Sequence, residues 1–218
     1  MQAPILHICK AQHLWLTPQR AVFWEEQRTL IVSDLHLGKT GHFRKAGIAV
    51  PASLFKEDLQ RLLALIQHFQ PEELLVTGDM FHSHSNIELE LFSRWRKDIS
   101  SLRVRLVKGN HDILHSAWYH EQSIDCCDNS VIGPFSFVHD RKDFQSPDNG
   151  LYPISGHIHP GVLLNGGGKQ QLRLPCFYFG NEGAILPAYS KFTGAVALGP
   201  QAGDHIFAIA GEQLFKVQ

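Results

Sequence analysis

The feature that most constrains the fold of this chain is a repeat in which a short apolar run ends at a polar motif. Three such repeats occur: residues 29–33 before Asp34, 73–77 before Gly78-Asp79, and 102–107 before Gly109-Asn110. Apolar side chains at helical spacing fill the two segments between them, residues 52–69 and 86–99. Alternating strands and helices predict a parallel sheet, and the side chains that follow its strands should gather at one edge.

From about residue 123 the pattern changes, because helical periodicity is weak and short strand candidates are separated by Gly, Pro and Asn. These candidates are residues 130–139, 151–155, 170–179, 194–198 and 205–217. We expect a second, mostly antiparallel sheet that packs on the first. The length of 218 residues favours one domain spanning residues 1–218.

Composition excludes some functions. The formal net charge is −1 and the isoelectric point is near 6.9, so any DNA contact must be local rather than spread over a basic surface. No apolar run is long enough to cross a membrane, and we expect neither a signal peptide nor a membrane partner. The four cysteines show no Cys-x-x-Cys spacing, which favours reduced thiols and a cytoplasmic protein.

Histidine is frequent, with 14 in the chain against two methionines. Several histidines stand in motifs that also supply carboxylates or an amide and no thiolate: Asp34-Leu35-His36, Gly78-Asp79, Gly109-Asn110-His111-Asp112, His139, and Gly156-His157-Ile158-His159. Such oxygen and imidazole donors suit two divalent cations held side by side. Each motif alone is weak, since a single Asp can also cap a turn, and His139 rests on a motif of one residue.

The spacing of the donors suggests an arrangement. Asp34 and His36 are alternate positions, which point the same way on an extended segment, so both could reach one ion. His157 and His159 repeat this device. Asp79 is the candidate bridge between two ions, because a carboxylate has two oxygens. A water shared by two cations about 3.5–4 Å apart ionises near neutral pH and can attack phosphorus.

In this order, from about residue 29 to 160, the motifs resemble those of the calcineurin-like metallophosphoesterase superfamily. The resemblance implies an α/β fold, a four-layer α/β/β/α sandwich of two packed mixed sheets flanked by helices. It also implies a first metal ion on Asp34, His36, Asp79 and His159. The second ion would bind Asp79, Asn110, His139 and His157. His111 would be a catalytic residue that acts on the leaving group or a phosphoryl oxygen.

The residue three positions after Asp79 separates subfamilies. Protein Ser/Thr phosphatases carry an Asp there, whereas this chain carries His82, which is similar to the SbcD-like repair nucleases. Two histidines close to each other and to dications resist double protonation. We therefore expect His82 and His111 to orient a phosphodiester.

A closer resemblance, to the DNA ligase-associated metallophosphoesterases (the PdeM type), rests on two further segments. These are Asp34-Leu35-His36-Leu37-Gly38-Lys39 with residues 43–51, and residues 186–194, where Tyr189 and Ser190 depart from that group's signature. It implies a phosphodiesterase or endonuclease of DNA repair, acting on single-stranded or damaged DNA in association with a ligase and a helicase. Manganese is the expected metal, with iron or zinc as alternatives. The oligomeric state is left open.

The loop after the first ligand pair is the candidate DNA contact. It contains Lys39, Phe43, Arg44 and Lys45, so that basic side chains could bind phosphates and an aromatic ring could stack on a base. A solvated loop with one buried Phe is the alternative.

Two other functions stay open at this point. One is a phosphodiesterase or pyrophosphatase that acts on a small nucleotide or a UDP-linked lipid, which the near-neutral isoelectric point supports. The other is a non-catalytic, metal-stabilised scaffold, although a scaffold would need neither His82 nor His111.

Overall fold

Two β-sheets face each other across an apolar layer in a computed structural model that describes residues 2–39, 53–82, 86–145, 150–167 and 170–218. The first sheet has seven strands in chain order: β1 Ile5–Cys9, β2 Gln12–Leu16, β3 Val22–Trp24, β4 Thr29–Val32, β5 Glu73–Thr77, β6 Arg103–Val107 and β7 Ile124–Cys127. Strands β1 to β4 pair antiparallel, and β4 to β7 pair parallel. The three predicted parallel strands are therefore present, in the predicted order.

Among the residues that the structure describes, three α-helices connect the parallel strands: α1 Ser53–Phe69, α2 Asn86–Asp98 and α3 Ser116–Glu121. Because β4 to β7 follow one another in space as in sequence, crossovers of one hand place all three helices on the same face. Buried side chains of α1, including Leu59 and Leu62, pack against Leu30 and Val32 of β4. Each such buried side chain contributes about 1.5–3 kcal/mol. None of the helices in the described part of the chain is long and apolar enough to span a bilayer.

The second sheet has nine strands: β8 Ser130–Ile132, β9 Phe135–Phe137, β10 Tyr152–Ser155, β11 Pro160–Asn165, β12 Gln171–Gly180, β13 Gly183–Ile185, β14 Val196–Ala197, β15 His205–Ala210 and β16 Gln213–Lys216. Most pairs are antiparallel, but β10 pairs parallel with β9 and β13, and β11 with β14. The prediction of two packed mixed sheets is confirmed. In the described ranges, side chains of α-helices join the core of the first sheet, and none joins the cluster on the outer face of the second.

The layer between the sheets combines aromatic and aliphatic side chains. Phe135, Phe137, Phe177 and Phe207 of the second sheet lie against aliphatic side chains of the first, among them Ile31. Residues of β4 and β5 are therefore buried on both faces, by helices on one side and by the second sheet on the other. This explains why their sequences are continuous apolar runs rather than alternating ones.

Some predicted boundaries were wrong. Residues 130–139 form two strands rather than one, because Gly133 takes a φ of +52° and turns the chain between β8 and β9. Residues 205–217 form the β15–β16 hairpin, with Gly211 at a φ of +60° in the turn. The N-terminal strands β1 to β3, and β7, β11 and β13, were not predicted.

His7 provides a test of the packing between the sheets. Its ring is buried, 4.3 Å from that of Phe179 and 5.3 Å from that of Phe207. Burial, together with the charges of His205 and Lys216, lowers the pKa of His7 to about 4. The unfolded chain therefore binds a proton more readily than the folded protein between about pH 4 and 6.5, so stability falls as the pH falls through this window.

We expect acidification from pH 7 to 5 to cost about 1–2 kcal/mol of unfolding free energy through His7 alone. His7→Phe, which keeps a ring in the same place, should remove this part of the pH dependence. His120→Gln, a change on the exposed face of α3, is the control and should leave it intact. Urea unfolding at pH 7 and pH 5 measures the change in unfolding free energy. If His7→Phe loses as much stability on acidification as the wild type, His7 is not the source of the pH dependence.

Candidate metal centre

The candidate ligands lie in loops at one edge of both sheets. Strands β4, β5 and β6 are in register, with Val32 beside Val76 and Val76 beside Leu106, so the loops after them begin at one level. The second sheet supplies His139 after β9, and His157 and His159 after β10. The edge of the sheets thus brings together all seven side chains that the sequence predicted as ligands.

Asp34, His36 and His159 form the first group. The Nε2 atom of His159 lies 3.3 Å from Oδ1 of Asp34 and 3.4 Å from Nε2 of His36. Ligand atoms about 2.1 Å from one ion lie about 3.0–3.4 Å from each other, so these three atoms are spaced as ligands. Asp34 Oδ1 is also buried without a hydrogen-bond partner among the described residues. An orphaned buried oxygen is costly, and a cation would satisfy it.

Asp79, His139 and His157 form the second group. His139 Nε2 is its centre, 3.1 Å from Nδ1 of His157 and 3.6 Å from Oδ2 of Asp79. The amide oxygen of Asn110 lies 3.0 Å from the same nitrogen. Four donors therefore lie together around His139 Nε2, and these are the residues that the resemblance assigned to the second ion.

The ring nitrogens of His139 and His157 that face away from the other donors contact a carbonyl and a carboxylate, which orient the two rings. His139 Nδ1 lies 3.5 Å from the carbonyl of Thr77, which directs Nε2 toward the other donors. His157 turns Nδ1 inward and places Nε2 3.7 Å from Oδ2 of Asp140. A carboxylate behind a histidine is the usual support of a metal-binding imidazole. Sequence reasoning gave Asp140 no role, although its position next to His139 was a usable signal.

The predicted extended geometry of the ligand pairs was wrong. Asp34 and His36 have φ values of +51° and +47°, and His157 and His159 have +64° and +53°. These left-handed conformations are uncommon for residues other than glycine and cost about 1–3 kcal/mol each. Asp34 and His36 nevertheless meet in one group, whereas His157 and His159 are divided between the two groups.

Backbone pairing holds these residues in place. Asp34 N donates to Gly78 O at 3.1 Å, and His36 N donates to Asp79 O at 2.8 Å. On the other side of this segment, Ser190 N donates to Asp34 O at 3.3 Å. The Asp34–His36 segment therefore lies between the Gly78–Asp79 loop and Ser190, and hydrogen bonds join it to both.

Gly78 and Gly156, like Gly109, are motif glycines that the available space requires. A Cβ added to Gly78, whose φ is +85°, would overlap the ring of His139. A Cβ added to Gly156 would overlap Ser33 Oγ and lie too close to Asp34 Oδ2. Glycine thus lets the backbone of one loop approach the ligand side chain of another.

Asp112 connects two ligand loops. Its Oδ1 accepts from the amide of Phe81 at 3.0 Å and its Oδ2 from the amide of Gly109 at 2.9 Å. Burial raises the pKa of Asp112 to about 6, although these two hydrogen bonds favour the ionised form. The sequence placed Asp112 in a motif without a role, and the structure makes it a clamp between the loops that carry Asp79 and Asn110.

Electrostatics at the first group favour the metal-binding forms of its side chains. Burial alone would raise the pKa of Asp34, but the ring of His159 close by and the hydroxyl of Ser33 lower it overall. Burial and the nearby charge of Lys39 lower the pKa of His36 to about 3, although the charge of Asp34 opposes them. Asp34 is therefore ionised and His36 neutral, which are the forms that bind a cation.

The two predicted catalytic histidines lie together beside the ligands. The rings of His82 and His111 are 4.3 Å apart, and both lie near the ring of His36, at 5.3 and 5.6 Å. The backbone amide of His111 donates to Asp79 Oδ1 at 2.9 Å. The ligand loop thus fixes the position of His111.

Of the predicted DNA-contact loop, the structure describes Lys39. Its side chain is half-buried and close enough to Asp34 and Asp79 for their charges to raise its pKa, although burial lowers it overall. Phe43, Arg44 and Lys45 lie outside the described residues.

The segment 186–194 packs directly against the first ligand loop. Tyr189 N donates to Ser33 O at 2.7 Å, and Ala188 pairs with Ser33 as an isolated bridge. Arg20 donates through Nη1 to the carbonyls of Ala188 and Ser190, at 3.0 and 2.7 Å. Sequence reasoning missed Arg20, because it lies far from the segment in the chain and stands in no motif.

Two adjacent groups of oxygen and imidazole donors at the edge of a two-sheet α/β sandwich define the class of metal-dependent phosphoesterases. Residues 27–185 match the sequence profile of the calcineurin-like phosphoesterase family. The chain belongs to this family. Enzymes of this family use divalent metals. The predicted superfamily resemblance is therefore confirmed.

A solved structure shares the fold. The nuclease MPE of Pseudomonas putida has a TM-score of 0.83 at 28% identity, over 98% of this chain and 100% of that one. The phosphoesterase Yfce of E. coli, at 13% identity over 87% of this chain and 97% of its own, has a TM-score of 0.46. No curated protein sequence matches the chain.

Asp112→Asn tests the clamp. The substitution replaces one acceptor by an N–H that faces a backbone N–H, so we expect a loss of about 1–3 kcal/mol in unfolding free energy. Metal affinity should fall about tenfold or more, because the loops with Asp79 and Asn110 lose their connection. Calorimetric titration with Mn²⁺ and urea unfolding measure the two effects. Asp98→Asn, on the exposed end of α2, is the control, and an equal metal affinity in both variants would contradict the clamp.

Proposed function

We propose that this chain is a binuclear-metal phosphodiesterase that cleaves DNA, as an endonuclease of the ligase-associated type. The observation that carries the proposal is the position of His82 and His111, which lie as a pair beside two converging ligand groups. The full-length similarity to a protein described as a nuclease supports the choice of DNA. Asp79 would bridge the two ions.

The donor set supports manganese, because carboxylate, amide and imidazole ligands without thiolate suit this metal, with iron or zinc as alternatives. When bound, two such ions lower the pKa of water and neutralise charge on a phosphoryl group. The protein's own contribution is to aim the ligands, and to place His111 where its side chain can stabilise a phosphoryl oxygen or the leaving group.

The His82–His111 pair favours diesters over monoesters. A carboxylate at position 82 would stabilise a protonated His111, which could donate a proton to a poor leaving group. A second imidazole 4.3 Å from the first offers no such charge, and two cationic rings at this separation would repel. His82 therefore suits substrate orientation and a better leaving group.

We place the activity in the cytoplasm, on single-stranded or damaged DNA, in association with a ligase and a helicase. The four cysteines are all free thiols, which supports a reducing compartment. The loop with Lys39, Phe43, Arg44 and Lys45 remains our candidate for DNA contact. The half-buried Lys39, near Asp34 and Asp79, supports a position beside the scissile phosphate.

Parallel assays separate this proposal from its competitors. With Mn²⁺, we expect the wild type to hydrolyse bis-p-nitrophenyl phosphate faster than the monoester, and to cleave a single-stranded oligonucleotide. His82→Asp should shift the ratio of diester to monoester turnover toward the monoester. Faster monoester turnover by the wild type would overturn the diester assignment. Turnover of a nucleoside diphosphate ester without DNA cleavage would favour a small-nucleotide enzyme, and no turnover at all would favour a scaffold.

His111→Ala tests the division between ligands and catalytic groups. The variant should lose roughly a hundredfold or more in kcat for the diester, the usual scale for a general acid or charge stabiliser. It should retain both ions in elemental analysis, because the backbone amide of His111, not its ring, contacts Asp79. His115→Ala, at the exposed start of α3, is the control. Loss of an ion in His111→Ala would reassign the residue as a ligand.

A further inference from the structure

A cavity of about 260 Å³ opens beside the metal ligand His159 and is lined by two arginines, Arg20 and Arg173. Its other walls come from β11, β12 and the segment 188–195: Pro160, Pro175, Ala188, Thr193, Gly194 and Ala195. A second cleft of about 510 Å³ shares His159, Gly194 and Ala195 with this cavity and extends past His157 to Lys142. The two clefts adjoin along the ligand edge, and the second is also lined by Asp140, which pairs with Lys142 at 3.4 Å, so among the described residues the unpaired basic lining lies on the side of the first cavity.

Both guanidinium groups are held by carbonyls of the same segment. Arg20 donates through Nη1 to Ala188 O and Ser190 O, and Arg173 donates through Nη1 to Ala195 O at 3.1 Å. A guanidinium has five N–H donors, so a bond from one nitrogen leaves donors that can face the cavity. The backbone thus orients two planar cations toward one space, which is the geometry that Arg uses for phosphate.

The charge of this cavity sets it apart from another on the molecule. None of the described residues that line it is acidic. A larger cavity of about 540 Å³ contains Lys108, but Asp128 and Asp143 line it as well. Carboxylates repel a polyanion, so a nucleic-acid strand is favoured on the side of Arg173.

We propose that Arg173, with Arg20 behind it, binds a backbone phosphate of the nucleic-acid strand next to the scissile phosphate. This inference rests on the proposed function. The cavity shares His159 with the first ligand group, so a strand whose scissile phosphate meets that group would continue into it. Arg20 is half-buried and fixed by two bonds, whereas Arg173 is exposed on β12 and accessible to a strand.

The contact depends on substrate length. A small diester such as bis-p-nitrophenyl phosphate has one phosphate, which would bind at the two ligand groups. It has no second phosphate that could contact Arg173. An oligonucleotide has neighbouring phosphates. Arg173 should therefore lower the KM for oligonucleotides and leave the small diester unaffected. Its contribution should also depend on salt, because binding to a phosphate releases counterions.

Arg173→Ala tests the inference, with Arg173→Lys and Arg103→Ala beside it. Arg103 is an exposed arginine at the end of the first sheet opposite the ligand loops. Replacing it by alanine removes one positive charge, as Arg173→Ala does, but at a place far from the cavity. In Arg173→Ala we expect the KM for a single-stranded oligonucleotide to rise roughly tenfold, and the salt slope of binding to fall by about 0.7. Arg173→Lys should give a KM between those of the wild type and Arg173→Ala, since lysine keeps the positive charge but not the paired N–H donors of a guanidinium. Arg103→Ala should behave as wild type.

The outcomes are distinguishable. Turnover of bis-p-nitrophenyl phosphate should stay within about twofold of wild type in every variant, the usual range for a change away from the chemistry. Arg173→Ala with a wild-type KM and salt slope on DNA would overturn this inference and leave the proposed function standing. An equal loss on the small diester would also overturn it, since Arg173 would then support the site and not the strand. A wild type that hydrolyses the diester but no DNA would remove the proposed substrate, and this inference with it.

Discussion

The site depends on one interaction, the backbone pairing of the segment that carries Asp34 and His36. This segment donates hydrogen bonds to the carbonyls of Gly78 and Asp79 on one side and accepts one from the amide of Ser190 on the other. The pairing holds both ligands at positive φ, a conformation that an unsupported loop would leave. Burial between two sheets supplies the rigid frame, since β4 and β5 are buried on both faces. The chemistry is thus built on strained backbone that the centre of the fold stabilises.

Much of the fold could be predicted, for physical reasons that differ between elements. Strands β4 and β5 are buried on both faces, and such strands give continuous apolar runs that are visible in the sequence. Strands β1 and β2 have one exposed face, and their sequences mix His and Gln with Leu and Trp, so no single pattern marked them. The strand predicted at 130–139 failed because Gly133 allows a turn inside an apolar stretch.

The site was predictable in composition but not in geometry. The motifs identified the donor residues. Their geometry was not predictable, because side chains at alternate positions point the same way only on an extended chain, and Asp34 and His36 are not extended. Arg20 and Arg173 could not have been found, because neither stands in a motif and Arg20, between β2 and β3, reaches His159 only through the fold. Asp112 stood in a motif, but its role as a clamp depends on the amides of two different loops.

The division of His157 and His159 between the two ligand groups has a consequence for how the ions bind. Both histidines lie on one three-residue segment whose backbone is also tied to Asp34, through a 3.0 Å bond from His157 N to Asp34 Oδ2. A shift of this segment would therefore displace a ligand of each group at once. A larger residue at Gly156, whose added Cβ would overlap Ser33 Oγ, should weaken ion binding at both groups rather than at one.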